Sequence, residues 1–284
     1  MIDRSESPWR AAVRRLRRNR GAMAGLYCVI LMVAVAILAD RLAPYDPIKM
    51  APGFGLLAPS REHVLGTDLL GRDVLSRVIH GARISLRVGL VSVGIAAILG
   101  TTLGLLAGYF GRWSDLLIMR FIDLLLAFPN VLLALAIIAI LGPSIFNLMI
   151  AVGISATPGY ARLVRGSVLT AKANTYVEAA TAVGVPDGLI IWRHILPNVL
   201  APVIVLSTLG MAGAILTGAA LSFLGLGVQP PTAEWGVMLA DGRNYLRIAW
   251  WITTFPGMAI MVTVLAINML GDGLRDTLDP RLRT

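Results

Sequence analysis

The stretch from residue 178 to residue 197 reads Glu-Ala-Ala-Thr-Ala-Val-Gly-Val-Pro-Asp-Gly-Leu-Ile-Ile-Trp-Arg-His-Ile-Leu-Pro, and it separates two long apolar segments. Its breaks at Gly184, Pro186 and Pro197 would leave backbone groups without hydrogen-bond partners in lipid, so we expect it to lie outside the hydrocarbon. A short, partly polar segment of this kind suits contact with another protein. We therefore interpret it as a docking loop of a membrane protein.

The loop has a predicted local structure. Residues 175–183 can form one helix, Gly184 ends it, and Pro186 with Asp187 suits the first turn of a second helix. Four apolar residues align on one face of that second helix: Val185, Leu189, Trp192 and Leu196. Such a stripe either fits a groove in a partner, with Glu178 available for a charged pair, or packs beneath the chain's own bundle.

Composition places the rest of the chain in a bilayer. Hydrophobic residues make up 57% of the 284 residues and charged residues 14%, and the mean hydropathy is +0.77, which together differ strongly from soluble globular proteins. A spanning helix takes about 20 residues, and six segments approach this length. The predicted spans are residues 22–42, 84–110, 121–141, 145–163, 199–227 and 252–271. The predicted fold class is all-α: a polytopic membrane protein with about six transmembrane helices, of which the fourth is the least apolar.

Lysine and arginine residues indicate the orientation of these spans. With the N-terminus inside, one side of the membrane carries 16 basic residues in its loops and the other carries eight. The positive-inside rule then predicts that both termini and the docking loop are cytoplasmic. The net charge of +9 needs no nucleic acid, because an arginine-rich N-terminus suits an anionic inner leaflet. These arginines are Arg14, Arg15, Arg17, Arg18 and Arg20.

The first apolar segment has a second interpretation as a secretory signal. Residues Ala34-Val35-Ala36 offer a weak cleavage pattern. Because the apolar run continues through Ile37 and Leu38, an uncut membrane anchor is the better interpretation.

Residues 40–83 form the longest stretch between spans, and four prolines in its first part predict an irregular extracytoplasmic loop. In its second part, apolar residues from Leu70 to Ala82 recur at helical spacing and predict an amphipathic helix at the interface. The preceding Gly66–Asp73 stretch has two Asp and two Gly, but its spacing fits neither a calcium loop nor a phosphate loop, and a capped helix start explains it. We divide the chain into residues 1–83, 84–273 and 274–284 on this basis.

Small residues recur every four positions in two predicted spans. They are Gly100, Gly104 and Gly108 in the second, and Gly210, Ala214 and Gly218 in the fifth. This spacing allows helices to approach closely, and we expect interhelical contacts there.

Chemistry-bearing residues are sparse. No acidic residue lies at mid-membrane, where an ion-driven carrier would need one; Arg120 and Asp123 lie near the start of the third span and are expected to form a local ion pair or to snorkel. No phosphate-binding loop occurs, and the three histidines, His63, His80 and His194, lack metal-ligand spacing. We predict no catalytic residue, no metal site and no bound cofactor, and hence neither an enzyme nor a secondary carrier.

Several motifs together resemble one family. Glu178-Ala179-Ala180, then Gly184, then His194-Ile195-Leu196-Pro197-Asn198 resembles the loop by which permeases of bacterial ABC importers dock onto their ATPases. Over nearly its whole length the chain is similar to the second, C-type permease subunit of the peptide and nickel class. Further motifs of this resemblance are Leu65–Asp68 with Gly71–Asp73, Asp123 with Ala127-Phe128-Pro129, Leu221–Gly227, Pro230–Thr232 with Glu234–Gly236, and Gly271–Asp276 with Leu278–Pro280.

The resemblance implies a fold, partners and residue roles. It implies the type I importer fold in the bacterial inner membrane, a heterodimer with a homologous permease, two ATPases that use ATP and magnesium, and an extracytoplasmic solute-binding protein. Coupling to the ATPases would involve Glu178, Ala179, Ala180, Gly184, Leu189, Trp192, Leu196 and Pro197. Location alone makes the outer loop from Val228 to Trp250, with Trp235, Asp241 and Arg243, the expected contact of the binding protein.

Two questions stay open at this point. Relatives of this pattern handle dipeptides, longer peptides, glutathione or nickel complexes, and peptide is the best single prediction. A membrane scaffold that recruits cytoplasmic proteins without moving a solute would need the same loop, so transport by a reconstituted complex separates the two.

Overall fold

The computed structural model describes Arg14 and residues 16–278. Most of the predicted basic N-terminal segment, and the end of the C-terminal tail from Asp279 onward, lie outside the described residues. The described helices are α1 (Arg20–Ile37), α2 (Ala39–Leu42), α3 (Val74–Phe110), α4 (Arg112–Leu126), α5 (Asn130–Leu141), α6 (Ile145–Lys172), α7 (Thr175–Ala182), α8 (Asp187–Ile190), a π-helix (Ile191–Ile195), α9 (Leu196–Phe223), α10 (Trp235–Gly242), a 3-10 turn (Arg243–Tyr245) and α11 (Trp251–Leu278). These elements confirm the all-α prediction.

Several of the helices are long and apolar enough to cross a bilayer. Four helical runs meet this requirement: Arg20–Ile37, Val74–Phe110, Asp187–Phe223 and Trp251–Thr277. The pair α4 and α5 provides a fifth crossing if the two bent helices count as one. Helix α6 corresponds to the predicted fourth span; its 28 residues reach about 42 Å at 1.5 Å per residue, but its low apolarity keeps it outside this set.

Helices α3 and α6 pack side by side in parallel. A Cβ atom added to Gly104 would lie 2.7 Å from the Cβ of Val164, and one added to Gly108 would lie 2.8 Å from the Cβ of Val168. Gly100 faces Tyr160 in the same way. The predicted interhelical role of these three glycines is confirmed. We call the end of the bundle with Phe110 and Lys172 the lower end, and the end with Val74 the upper end.

Gly104 gives a direct test of this packing. We expect Gly104→Leu to destabilise the bundle by about 1–3 kcal/mol or more, because the new side chain would overlap the Ala161 carbonyl and Val164. Gly94→Leu on the same helix is the matched control, since a Cβ there meets no atom within 4 Å. Thermal unfolding of the purified protein measures both. Equal stability of the two variants would contradict the close α3–α6 packing.

The upper end differs from the prediction of a separate amphipathic helix. Helix α3 runs without a break from Val74 to Phe110, so the predicted interfacial helix and the second span are one element. Helical spacing simply continues past Arg83, and the domain boundary predicted there lies inside the helix. The predicted capped start is confirmed, because the Asp73 carboxylate accepts a hydrogen bond from the Ser76 N–H at 2.8 Å.

The predicted third span is broken in the middle. Helices α4 and α5 meet at an angle of 93°, since Pro129 lacks an N–H and disfavours helical backbone at the residue before it. Asp123 pairs with Arg162 of α6 at 2.7 Å and not with Arg120, whose ion pair with Asp123 was one of the two predicted alternatives. A second ion pair joins Asp115 of α4 to Arg165 of α6 at 2.6 Å. Both pairs fasten α4 to the lower half of α6.

Candidate coupling site

The first helix of the docking loop, α7, ends in a regular hydrogen-bonded motif at Gly184. Gly184 has a φ of +79°, which is accessible to glycine at little cost. Its N–H donates to the Thr181 carbonyl at 3.0 Å, and the Val185 N–H donates to the Ala180 carbonyl at 3.1 Å. These two bonds form a Schellman motif. The prediction that Gly184 ends the first helix is confirmed.

The second half of the loop differs from the prediction. Helix α8 begins at Asp187 and continues through the π-helix into α9, so that one run reaches from Asp187 to Phe223. Pro197 lies in the first turn of α9 and does not break the run, because the π-helix just before it changes the hydrogen-bond register where the proline N–H is missing. The second docking helix is therefore the first part of a long spanning helix. A force on the loop acts directly on α9.

Two side chains from other helices fasten the loop to the bundle. The Tyr109 hydroxyl, near the end of α3, donates to the Asp187 carboxylate at 2.6 Å. The Lys172 ammonium, at the end of α6, donates to the Tyr109 carbonyl at 2.6 Å and lies 5.0 Å from the centroid of the Tyr109 ring. These residues border an open cleft of about 680 Å³ together with Glu178 and Thr181. Sequence reasoning missed Tyr109 and Lys172, because both are distant from the loop in sequence.

The loop has a buried face and an exposed face. Val177, Ile190 and Ile195 are buried against the chain's own helices. On the other side, large apolar side chains meet solvent: Val183 is 79% exposed, Trp192 72% and Leu189 47%. Of the residues predicted to couple, Glu178, Ala179, Gly184, Leu189, Trp192 and Pro197 are exposed, and Ala180 and Leu196 are half-buried. In the predicted stripe, Leu189 and Trp192 are thus free to contact another molecule, whereas Val185 packs against the buried cluster and Leu196 is half-buried.

Comparison with known families identifies the chain. The family model described as "binding-protein-dependent transport system inner membrane component" matches residues 100–284, which is more than half of the chain. The chain belongs to this family. A second model, the N-terminal transmembrane domain of oligopeptide transport permease C, matches residues 7–59. The resemblance to a C-type importer permease with the type I fold is therefore confirmed.

Relatives share most of the length of this permease. A dipeptide transport system permease protein of Alkalihalophilus pseudofirmus is 50% identical over 278 residues, which cover 98% of this chain and 91% of the relative. A di/tripeptide transport system permease protein of Pseudomonas aeruginosa is 49% identical, covering 98% and 93%. A glutathione transport system permease protein of Pectobacterium atrosepticum is 47% identical, with the same shares. The permease is accordingly a multi-pass membrane component of a transport complex with further subunits, and not an enzyme.

At the upper end of the permease, the three residues predicted to contact the binding protein differ in their exposure. Trp235 is 1% exposed, and its indole N–H donates to the Val78 carbonyl at 3.0 Å. It fastens α10 to α3 from within, so the prediction of a surface contact is wrong for Trp235. The Asp241 carboxylate is 32% exposed and accepts a hydrogen bond from Arg72 at 3.1 Å. Arg243 is exposed, and its guanidinium carbon lies 5.7 Å from the centroid of the Phe223 ring.

A buried charge network joins the long upper loop to α10. Asp68 and Arg72 pair at 2.6 Å with side chains only 4% and 3% exposed. Arg77, whose side chain is 1% exposed, lies 3.6 Å from Asp68 and 3.8 Å from Asp241. On the polar face of this segment, Arg72 and Arg77 are therefore turned inward onto α10, whereas Arg83 pairs with the exposed Asp40. Residues 43–73 and α10 form one fastened cap over the upper end of the permease.

Glu234 begins α10 within this cap. Its carboxylate accepts hydrogen bonds from the N–H groups of Gly236 and Val237 at 2.9 and 3.0 Å, and burial raises its pKa above the usual range for a glutamate. The backbone donors favour the charged form and act against that shift. Glu234 is thus a buried helix cap, and it fixes the direction in which α10 leaves the loop.

Proposed function

We propose that the chain is a permease subunit of an ATP-driven peptide importer, which forms half of the translocation path and couples to cytoplasmic ATPases through the docking loop. One observation carries the proposal: exposed apolar side chains beside Glu178 stand on a loop that is continuous with the spanning helix α9. Exposed aromatic and aliphatic anchors next to a charge are typical of a protein interface. ATP and magnesium act on the ATPase subunits and not on this chain.

The fastening of the loop supports transmission of movement. Because Tyr109 and Lys172 tie Asp187 to the ends of α3 and α6, a displacement of α8 moves three spanning helices together. An ATPase pair that closes on ATP binding would rotate the docking helices, and the two permeases would then open to the opposite side. The residues proposed to make this contact are Glu178, Ala179, Ala180, Gly184, Leu189, Trp192, Leu196 and Pro197.

The proposed orientation places the lower end in the cytoplasm of a bacterium and the upper cap outside its inner membrane. It rests on the basic-residue bias of the loops. The packing of the two end helices is consistent with it, because Gly273 near the end of α11 contacts Ala22 near the start of α1. The start of α1 and the end of α11 then lie at the lower end, on the side of the docking loop.

The other proposed subunits would contact surfaces of the chain outside the docking loop. A homologous permease would pair with this chain across the membrane, and an extracytoplasmic binding protein would approach the upper cap. Arg243 and the free part of Asp241 are accessible there. Trp235 is not part of this proposal, because its side chain is buried.

Peptides of two or more residues are the proposed substrates. The dipeptide and di/tripeptide names of two relatives at 50% and 49% identity support this choice. Glutathione is the second candidate, since relatives at 47% and 49% identity carry that name. Both solutes contain amide bonds and a free carboxylate, so one path can serve either.

Uptake by the complete complex tests the proposed function. Proteoliposomes that hold both permeases and the ATPases, with ATP inside and the binding protein outside, are supplied with labelled dipeptide or glutathione. We expect uptake of dipeptide that requires both ATP and the binding protein. Uptake driven by an ion gradient without ATP would contradict the proposal, and ATP hydrolysis without uptake of any solute would favour the scaffold alternative.

A further inference from the structure

A cavity of about 280 Å³ lies between α3, α6 and α9. Ser92, which lines it, stands midway between the first and last residues of α3. Leu126 and Asn130, on the two sides of the α4–α5 break, form its rim. Ser155 and Gly213, which also line it, stand near the centres of the predicted spans 145–163 and 199–227. The cavity is therefore near the middle of these spans and beside a broken helix, which is where transporters place solute sites.

The lining of the cavity is uncharged. All of the described residues that border it are apolar or neutral polar side chains or glycines. A free charge would be costly to bring here, whereas a neutral amide that finds hydrogen-bond partners would not. The volume is close to the lower end of the roughly 300–1,000 Å³ typical of ligand pockets, so the cavity fits part of a small solute.

Tyr160 supplies an unused hydrogen-bond donor in this wall. The residue is 3% exposed, and its hydroxyl makes no hydrogen bond of good geometry among the described residues, although the Ser207 side chain lies within reach of a longer one. The neighbouring serines are already occupied: Ser92 donates to the Met149 carbonyl at 3.1 Å and Ser155 to the Val152 carbonyl at 2.9 Å. A buried hydroxyl left without a partner costs free energy, and a solute acceptor would remove that cost.

The break between α4 and α5 supplies further donors on the rim. Helix α5 has no side-chain cap at its N-terminus. The first N–H of α5 that has a partner is that of Leu133, which donates to the Pro129 carbonyl, so the N–H groups of residues 130–132 are free among the described residues. Of these three residues, Asn130 lines the cavity. Irregular backbone at membrane depth is tolerated where it borders a cavity. Tyr160, the Asn130 side-chain amide and the free N–H at the start of α5 can each donate a hydrogen bond, so the site suits an acceptor group on its ligand.

Two glycines keep the cavity open. Gly159 of α6 and Gly213 of α9 both line it, and a Cβ added to either would meet no atom within 4 Å. These glycines therefore contribute space and not helix packing, in contrast to Gly100, Gly104 and Gly108.

The geometry points to a transient subsite for the backbone oxygens of a passing peptide, formed by Tyr160, Asn130 and the start of α5 over the space left by Gly159 and Gly213. The inference rests on the proposed function and names the part of the path that recognises the substrate. Recognition of backbone oxygens is independent of side-chain identity, and an uncharged wall with few donors binds weakly enough to release the solute. The uncharged lining favours an amide carbonyl as the acceptor over the charged terminal carboxylate, and the experiment below separates the two.

Tyr160→Phe in the complete transporter tests the donor. We expect the KM for dipeptide uptake to rise about tenfold, with little change in the maximal rate or in ATP hydrolysis. Dialanine and its C-terminal amide separate the two oxygens: an equal rise for both assigns the amide carbonyl, and a rise for the free acid alone assigns the carboxylate. An unchanged KM for both solutes would overturn the subsite.

Gly213→Leu tests the space, with Gly166→Leu as its control. Gly166 also has no atom within 4 Å of an added Cβ, and it stands two turns from Gly159 on the same face of α6 but outside the cavity. We expect Gly213→Leu to lower dipeptide uptake at least tenfold while assembly and ATP hydrolysis persist, and Gly166→Leu to transport normally. Equal uptake by the two variants, whether normal or lost in both, would overturn the inference. If the unmodified complex itself takes up no peptide, the proposed function fails, and that result is distinct from any difference between variants.

Discussion

Trp192→Ala combined with Glu178→Lys is expected to abolish ATP-dependent uptake while the permease still inserts and folds. Trp192 is 72% exposed, so its truncation removes little internal packing. At a protein interface an aromatic anchor of this kind contributes about 2 kcal/mol or more, which corresponds to a roughly 30-fold weaker association. Reversal of the charge at Glu178 adds repulsion where attraction is proposed. Copurification of the ATPases and uptake by the reconstituted complex measure the result.

Trp113→Ala is the matched control for this variant. Trp113 is 73% exposed and lies on α4, outside the docking loop, so its loss removes the same side chain at the same exposure. We expect normal ATPase association and uptake with this control. Normal uptake by the Trp192 and Glu178 variant would count against coupling through the loop.

Asp68→Asn is expected to give the largest loss of stability. The substitution leaves Arg72 and Arg77, with side chains 3% and 1% exposed, buried together. Among the described residues, Asp241 is then the one carboxylate that still pairs with them. Removal of one member of a buried ion pair costs about 3–5 kcal/mol because the remaining charge is uncompensated. Asn retains the side-chain oxygen that accepts from the Leu70 and Arg72 backbone N–H groups, so the effect reports the lost charge together with the lost hydrogen bond from the Arg72 side chain. Thermal unfolding should shift down by roughly 10 °C.

Asp40→Asn makes the same chemical change at an exposed pair. The Asp40 side chain is 71% exposed and pairs with Arg83 at 3.0 Å, and hydrogen bonds from Arg83 and His80 hold the pKa of Asp40 below its usual value. Solvent screens such a pair, so we expect little change in the unfolding temperature. If Asp68→Asn were as stable as Asp40→Asn, the buried network would not fasten the upper cap.

Local sequence signals predicted the parts of the fold that depend on local backbone or spacing. Gly184 was identified as a helix end because glycine reaches the positive φ that a Schellman motif needs. The four-residue spacing of Gly100, Gly104 and Gly108 identified a helix contact, although the partner helix could not be read from it. The family resemblance came from short motifs distributed over the whole chain, and the comparisons confirm it.

Other features depend on tertiary contacts that the sequence does not display. Pro129 bends the third span by 93°, yet proline is common in membrane helices and its effect depends on the neighbours that accept the freed backbone groups. Pro197 was predicted to end the docking loop, and a π-helix absorbs it instead. Trp235 was expected at the surface because of its loop position, and the packing of α10 on α3 buries it. Tyr109 reaches Asp187 across 78 residues of sequence, which no local pattern reveals.

Crosslinking from the loop to the ATPases tests the central claim most directly. Cys28 is the single cysteine of the chain, so Cys28→Ser provides a background into which one cysteine is introduced at Val183, which is 79% exposed on the loop, or at Ile140, which is 85% exposed near the end of α5. In the assembled transporter, Val183→Cys should crosslink to an ATPase subunit with a yield that changes when ATP is added, and Ile140→Cys should not. A crosslink to the ATPase from Ile140→Cys, with none from Val183→Cys, would contradict coupling through the docking loop.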